Sequence, residues 1–273
     1  YFSSSIWRPF YKALDTLKKF DLQRGGQVRF ETSRVDEFNA LNEELIKLTE
    51  KVNSDYRNLK EFTENMSHET QTPLAIIRSK LELLLQSDNL RPEQMEQVHA
   101  TLDAINRLTK MNRGLIMLTR IENDQYAEEE LVEIGALLQS RLEDLELFMQ
   151  SRGLSVETVL AQDVSVRMNK YLADILVSNL LSNAIKYNRE GGKLIVSLFA
   201  DSLMVSNSGT PLSIPDHRIF ERFKRGDSPD SVGLGLAIVK RICDHYHFFL
   251  SYRYDEDLHR FYVQFPKERR NNA

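Results

Sequence analysis

Hydrophobic and polar positions divide the chain into two textures. From Arg34 to about Leu85 there is no glycine and a single proline, and Leu41, Leu45, Leu48, Val52, Leu59, Phe62 and Met66 recur at spacings of three to seven. That recurrence belongs to one face of a helix, and good helix formers fill the positions between. The apolar set continues through Leu74, Ile77, Leu81 and Leu84 to the polar break SDNLRPEQ. Pro92 in that break suits the first position of a new helix, where its missing N–H is not needed. Val98, Leu102, Ile105, Leu108, Leu115 and Leu118 keep the period to about Glu122, which predicts an antiparallel helical hairpin over 56–125. One hairpin cannot cover both of its apolar stripes, so a homodimer forming a four-helix bundle is expected.

After Glu128, Glu129 and Glu130 the runs shorten and β-branched and aromatic residues rise. LSVETVL and VSVRM read as strands, NKYLADILVSNLLSNAIKYN as an amphipathic helix, KLIVSLFA with LMVSNS as a hairpin, and FFLSYRY and RFYVQF as the last strands. These predict a second, mixed α/β domain over 130–268, so the fold class is α+β. Ahead of the long helix, residues 1–55 carry a proline-bearing amphipathic start, WRPFYKALDTL, a connector around Gly25 and Gly26, and VDEFNALNEEL.

With 273 residues, 41% hydrophobic and 28% charged, the chain suits about two globular domains and not a disordered tail. A net charge of -4 argues against a nucleic-acid partner. The single cysteine, Cys243, excludes an internal disulfide framework and the paired-cysteine zinc motifs. No apolar run reaches the roughly 18 to 20 residues of a bilayer span. The uncharged YFSSSIW followed by Arg8 is nevertheless what is expected just inside one. The chain therefore reads as the cytoplasmic portion of a longer protein held at the membrane by a segment upstream.

Candidate chemistry starts at NMSHETQTPLAIIRSKLELL, where His68 lies mid-helix between the core positions Met66 and Leu74. A lone helical histidine is most often a solvated surface residue. Here, however, His68, Glu69, Thr72 and Pro73 resemble the phosphoacceptor box His-Glu-x-x-Thr-Pro of the histidine kinases. The resemblance implies that His68 attacks the γ-phosphate of ATP as a neutral imidazole, with the Glu69 carboxylate raising its basicity and accepting the proton. It also implies that Thr72, four residues on, positions a water against a partner's aspartyl phosphate. Pro73 loosens the helix where it could bend.

In NLLSNAIKYN, Asn179 and Asn183 share a helical face with Lys186 and Tyr187 a turn further on; two carboxamide oxygens and an ammonium could hold Mg²⁺ and phosphates. Phe220 and Phe223 would anchor a loop in which Lys224 and Arg225 face phosphate. In GLGLAIVK, Gly233, Leu234, Gly235 and Leu236 open a helix whose N–H groups suit an anion. Each string alone is as readily a surface helix or a cap. In this order they resemble the N, F and G2 boxes of the Bergerat-fold ATPases, shared by histidine kinases, gyrase, mismatch-repair and heat-shock chaperone ATPases. A Bergerat-type α/β sandwich binding ATP is implied. The adenine-reading motif would be VSNSGTPL, with Asn207 in the place of the usual aspartate, then Gly209 and Pro211; Ser231 replaces a glycine of the G2 loop.

The first fifty residues resemble the HAMP signal-relay module, whose second helix opens with an acidic pair matching Asp36 and Glu37; Asn39 stands where that family has glycine. A plain dimeric coiled coil remains the alternative. Cys243, His245 and His247 straddle a helix end without a fourth metal ligand, and His99, His217 and His259 lack chemical partners in sequence. Taken together, the expected function is a histidine autokinase and phosphatase of a response-regulator receiver domain. A catalytically weak docking scaffold and an ATP-driven clamp are the competing classes.

Overall fold

The computed structural model describes residues 2–18, 28–87, 90–212, 215–223 and 233–266. It separates into two units, Tyr1–His68 and Glu69–Ala273. In the first, helix α1 (Phe2–Lys18) precedes the start of a long helix α2 (Asp36–Leu85), while the connector glycines Gly25 and Gly26 lie outside the described residues. The rings of Phe10 and Phe38 lie 5.8 and 6.1 Å from Trp7, and Lys12 pairs with Glu31 at 2.5 Å. Asp36 and Glu37 occupy the first turn of α2, where the helix dipole favours negative charge. Asn39 closes that entry: its Oδ1 accepts from the Ser33 N–H at 2.8 Å and its Nδ2 donates to the Ser33 carbonyl at 2.9 Å. This gives the side chain a task that glycine could not perform.

In the second unit, the remainder of α2 runs on through Pro73 and is followed by α3 (Pro92–Glu122), which begins at the proline as expected. The Gln94 side chain accepts from the Arg91 N–H at 3.1 Å, half of a capping box. Across the hairpin the Asn112 amide donates to the Thr70 hydroxyl. The α/β part then runs β1 (Glu130–Glu133), α4 (Ile134–Asp144), α5 (Glu146–Ser151), β2 (Ser155–Leu160), β3 (Ser165–Met168), α6 (Lys170–Lys186), β4 (Lys193–Phe199), β5 (Ser202–Ser208), α7 (Gly235–His245), β6 (Phe249–Asp255) and β7 (Leu258–Gln264).

Five strands form one sheet in the order β2-β4-β5-β7-β6, with β2 parallel to β4 and the rest antiparallel; β1 and β3 make a separate antiparallel pair. Successive strand residues face opposite sides, so the register fixes which residues share a face. Leu198, Leu203 and Val263 form one cross-strand row, Val196, Val205 and Phe261 the next, and Leu194, Asn207 and His259 the third. All of these are buried, beneath α6 and α7. Two apolar rows thus end in a polar one at a single edge of the helix layer. The core is not confined to the α/β elements, because Leu118 and Ile121 of α3 are each 1% exposed and pack into it. Burial on that scale stabilises by about 1.5 to 3 kcal/mol per side chain.

Candidate active site

Helix α6 supplies the first wall. The Asn169 side chain caps it by accepting from the N–H groups of Tyr171 and Leu172 at 3.0 and 3.2 Å. Buried Leu172, Leu176, Leu180 and Ala184 tie its inner face to the sheet. The Arg152 guanidinium satisfies the other end, donating to the carbonyls of Ile185 and Lys186 at 2.9 Å and of Asn188 at 3.2 Å. Held at both ends, α6 presents Asn179, Asn183 and Lys186 along one edge, and the Lys186 ammonium stands 5.7 Å from the centroid of the Tyr187 ring. Asn179 is already committed: its Nδ2 donates to the Ile175 carbonyl at 2.8 Å, and a Cβ on Gly235 would stand 2.7 Å from its Oδ1. Glycine is therefore what lets the start of α7 lie against α6.

Asn179, Asn183, Lys186, Tyr187, Asn207, Gly233, Gly235 and Leu236 line a single cavity of about 520 Å³. The other sequence candidates are placed differently. Leu234 is 3% exposed and turned away from the cavity onto α3, where a Cβ on Gly114 would lie 2.8 Å from its Cδ1. Gly209 backs onto His259 behind the wall. Phe220 is partly buried against the core and Phe223 is 45% exposed, its N–H donating to the Gly233 carbonyl at 2.9 Å across the base of the segment between them. Lys224, Arg225 and Ser231 lie outside the described residues. Next in sequence to Phe223, Arg222 pairs with Glu122 at the end of α3, and Arg241 of α7 pairs with the same carboxylate at 3.8 Å.

Several cavity residues carried no sequence signal of their own. His259 and Phe261 stand on alternate positions of β7, so the period-2 pattern of the last strand puts them on one face, but which face was legible only once β5 was paired. The His259 Nδ1 is 2.8 Å from the Tyr252 hydroxyl; burial pulls the imidazole pKa down, and a hydrogen bond to the Thr210 backbone opposes this. Burial also pushes the Tyr252 hydroxyl up to about 12. Leu212 and Ile219 add apolar wall, Ser182 adds a hydroxyl on α6, and Leu145 and Phe148 extend the cavity beyond that helix. The enclosure is thus apolar and aromatic toward the sheet and amide- and ammonium-lined along α6, which suits a flat heteroaromatic group joined to a polyanion.

The candidate phosphoacceptor residues are on α2. His68 lies mid-helix, and its side chain is outside the described residues. Glu69 and Thr72 are both exposed. Cys243 is fully buried and its thiol is pushed up to about 12 by desolvation, while His245 pairs with Asp124 at 3.0 Å. Among the described residues no three side chains form a metal-ligating group, and no helix is long and apolar enough to cross a membrane.

Residues 58–124 match the family described as the His Kinase A (phospho-acceptor) domain, and 171–269 match the histidine kinase-, DNA gyrase B- and HSP90-like ATPases, together more than half of the chain. The chain is 30% identical over 226 residues to the heme sensor protein HssS of Staphylococcus saprophyticus, covering 79% of this chain and 48% of that protein. It is 35% identical over 214 residues to the sensor protein QseC of Salmonella typhimurium, covering 76% and 47%. It is 28% identical over 256 residues to the signal transduction histidine-protein kinase ArlS of Staphylococcus epidermidis, covering 88% and 55%. The chain thus spans about half the length of the curated relatives it matches. Full-length ShkA in complex with AMPPNP shares the fold at a TM-score of 0.58 and 22% identity, covering 76% of this chain and 46% of that one. The Acinetobacter baumannii histidine kinase AdeS shares it at 0.53 and 21%, covering 74% and 98%.

Proposed function

The chain belongs to the sensor histidine kinases, and from that premise we propose that it phosphorylates its own His68 from ATP, transfers the phosphoryl group to an aspartate of a response-regulator receiver domain, and hydrolyses the phosphorylated partner. The observation that carries this reading is the convergence of Asn179, Asn183, Lys186, Tyr187, Asn207, Gly233, Gly235 and Leu236, from separate stretches of sequence, on one cavity. The same chain carries His68, Glu69, Thr72 and Pro73. A scaffold needs none of these cavity residues, and a clamp needs no phosphoacceptor box.

The residues present fit a nucleotide. Phe261, Leu212 and Ile219 offer an apolar slot for the base, and Lys186 with the start of α7 offers positive potential for phosphates. Mg²⁺ bound with the phosphates would neutralise their charge. Asn183 and Asn179 each offer it a carboxamide oxygen, since the Asn179 Nδ2 is taken by the Ile175 carbonyl and Oδ1 is left as the acceptor. In the transfer, a ring nitrogen of His68 bonds to the γ-phosphorus as the bond to the β,γ-bridging oxygen breaks and ADP leaves, and Glu69 accepts the proton from the other nitrogen. Exposed Thr72 remains accessible to a docked partner and orients the water that later hydrolyses the aspartyl phosphate. Homodimerisation through the hairpin, signal relay by residues 1–55 and attachment to the cytoplasmic face of the membrane belong to the same proposal.

Incubation with γ-labelled ATP tests it. The wild type should gain acid-labile, base-stable label, and His68→Gln should gain none while its ATP affinity stays within a few-fold. Label persisting in His68→Gln rejects the assignment.

A further inference from the structure

The wall between β5 and β7 holds a hydrogen-bonded chain that the reading of the cavity as an ATP site does not explain. Asn207 and His259 are register partners on those strands, 1% and 5% exposed. The Asn207 Nδ2 donates to the backbone carbonyls of Ser208 at 3.1 Å and Tyr187 at 3.4 Å. Both its hydrogens are committed, so the acceptor Oδ1 is what the side chain presents to the cavity. A carboxylate there would set an oxygen against two carbonyl oxygens with no proton between them, an arrangement that burial makes costly.

His259 is held on both sides. The Tyr252 hydroxyl is 2.8 Å from Nδ1, and the ring bonds the Thr210 backbone in the sense that favours a proton on the ring. With Nδ1 toward the Tyr252 hydroxyl, Nε2 is the ring nitrogen toward Gly209. A Cβ on Gly209 would lie 2.4 Å from that nitrogen, so the strand exit that follows Asn207 is wrapped directly on the imidazole. The Tyr254 hydroxyl donates to the Gly209 carbonyl at 3.2 Å from the same side.

We propose that His259 is a positioning residue for base recognition: it fixes the turn after β5 so that the Asn207 amide is locked with Oδ1 toward the cavity, making the site selective for adenine over guanine and matched to asparagine, not aspartate. This deepens the ATP-site reading and rests on it. Adenine offers an amino group to Oδ1; guanine offers a carbonyl oxygen at the same place, and the amide cannot turn to meet it without facing Oδ1 onto the carbonyls of Ser208 and Tyr187.

The test measures ATP and GTP dissociation constants by calorimetry for the wild type, Asn207→Asp, His259→Gln and His259→Phe, each confirmed folded by circular dichroism, between pH 5.5 and 8. The wild type should prefer ATP by about tenfold or more, and Asn207→Asp should weaken ATP binding by about tenfold instead of strengthening it. Both His259 variants should lose most of the base preference while turnover at saturating ATP changes by less than about threefold, a defect in KM and not in kcat. Wild-type affinity should fall at the acid end of that range, as the buried ring, whose pKa burial holds below the ordinary imidazole value, takes up a proton. The ionisable groups near the ring include Tyr252 and Tyr254 on β6, with Asp257 before β7 bonded to Tyr254 and Arg189 and Asp216 acting on those two tyrosines, and Lys186 and Tyr187 line the same cavity. The fall should vanish in His259→Gln, which removes only the imidazole. Equal or tighter ATP binding by Asn207→Asp, equal ATP and GTP binding by the wild type, or an unchanged pH profile in His259→Gln would overturn the inference alone. Failure of the folded wild type to bind any triphosphate would overturn the ATP-site reading and this inference with it.

Discussion

Asn179 and Asn183 are one turn apart on α6, yet their amides are in different circumstances. Asn179 bonds its own helix at Ile175 and abuts Gly235, so its loss disturbs the joint between α6 and α7. Asn183 lines the cavity at a half-exposed helical position where alanine is well tolerated. Asn183→Ala should therefore abolish autophosphorylation in millimolar Mg²⁺ while the thermal midpoint moves by only a few degrees. Near-normal activity would remove the metal role. Helical spacing made this residue pair legible, because residues four apart must share a face. His259 was not legible in the same way: its partners Tyr252 and Thr210 come from β6 and from the turn after β5, and a single histidine in an alternating run carries no mark of them.

At the scale of elements, α3 has two tasks within one unit. Its upper half carries the hairpin stripe, and its lower half buries Leu118 and Ile121 in the α/β core beside Val239 and Ile242 of α7. Leu118→Ala should cost about 2 to 5 kcal/mol in urea unfolding of the ATPase part, as for a core leucine, although the residue lies in the phosphoacceptor hairpin. A loss below about 1 kcal/mol would mean that α3 only rests on the domain. The long helices, the cap at Pro92, and β2 through β7 were legible from periodicity and turn residues. The pair β1–β3 was only half legible, since ELVE buries just Val132 and has too few residues to show a period. Helix α4 was missed for a related reason: its buried set is Ile134 and Leu138 alone.

For the whole molecule, Ile77 and Leu84 recur seven residues apart on α2 and are 45% and 47% exposed, and Leu108 on α3 is 51% exposed. Apolar area at that spacing fits a second copy of the hairpin. The double change Ile77→Glu with Leu84→Glu should convert a dimer to a monomer in sedimentation at micromolar concentration; a variant that stays dimeric, or a wild type that is monomeric, would refute the four-helix arrangement. The α/β domain should keep its circular-dichroism signature, because neither residue belongs to its core.

Gly114 and Leu234 occupy one shared volume between α3 and the glycine-bearing turn before α7. A slide or rotation of α3 changes the room left for Leu234, and Leu234 is flanked by the cavity residues Gly233 and Gly235. Linked equilibria are reciprocal, so whatever free energy a nucleotide gains from one setting of α3, α3 gains for that setting from the nucleotide. On the proposed function, a stimulus arriving along the hairpin and the supply of ATP would act as two hands on one lever. Neither message would then have to be relayed through the domain, because both would bear on the same contact.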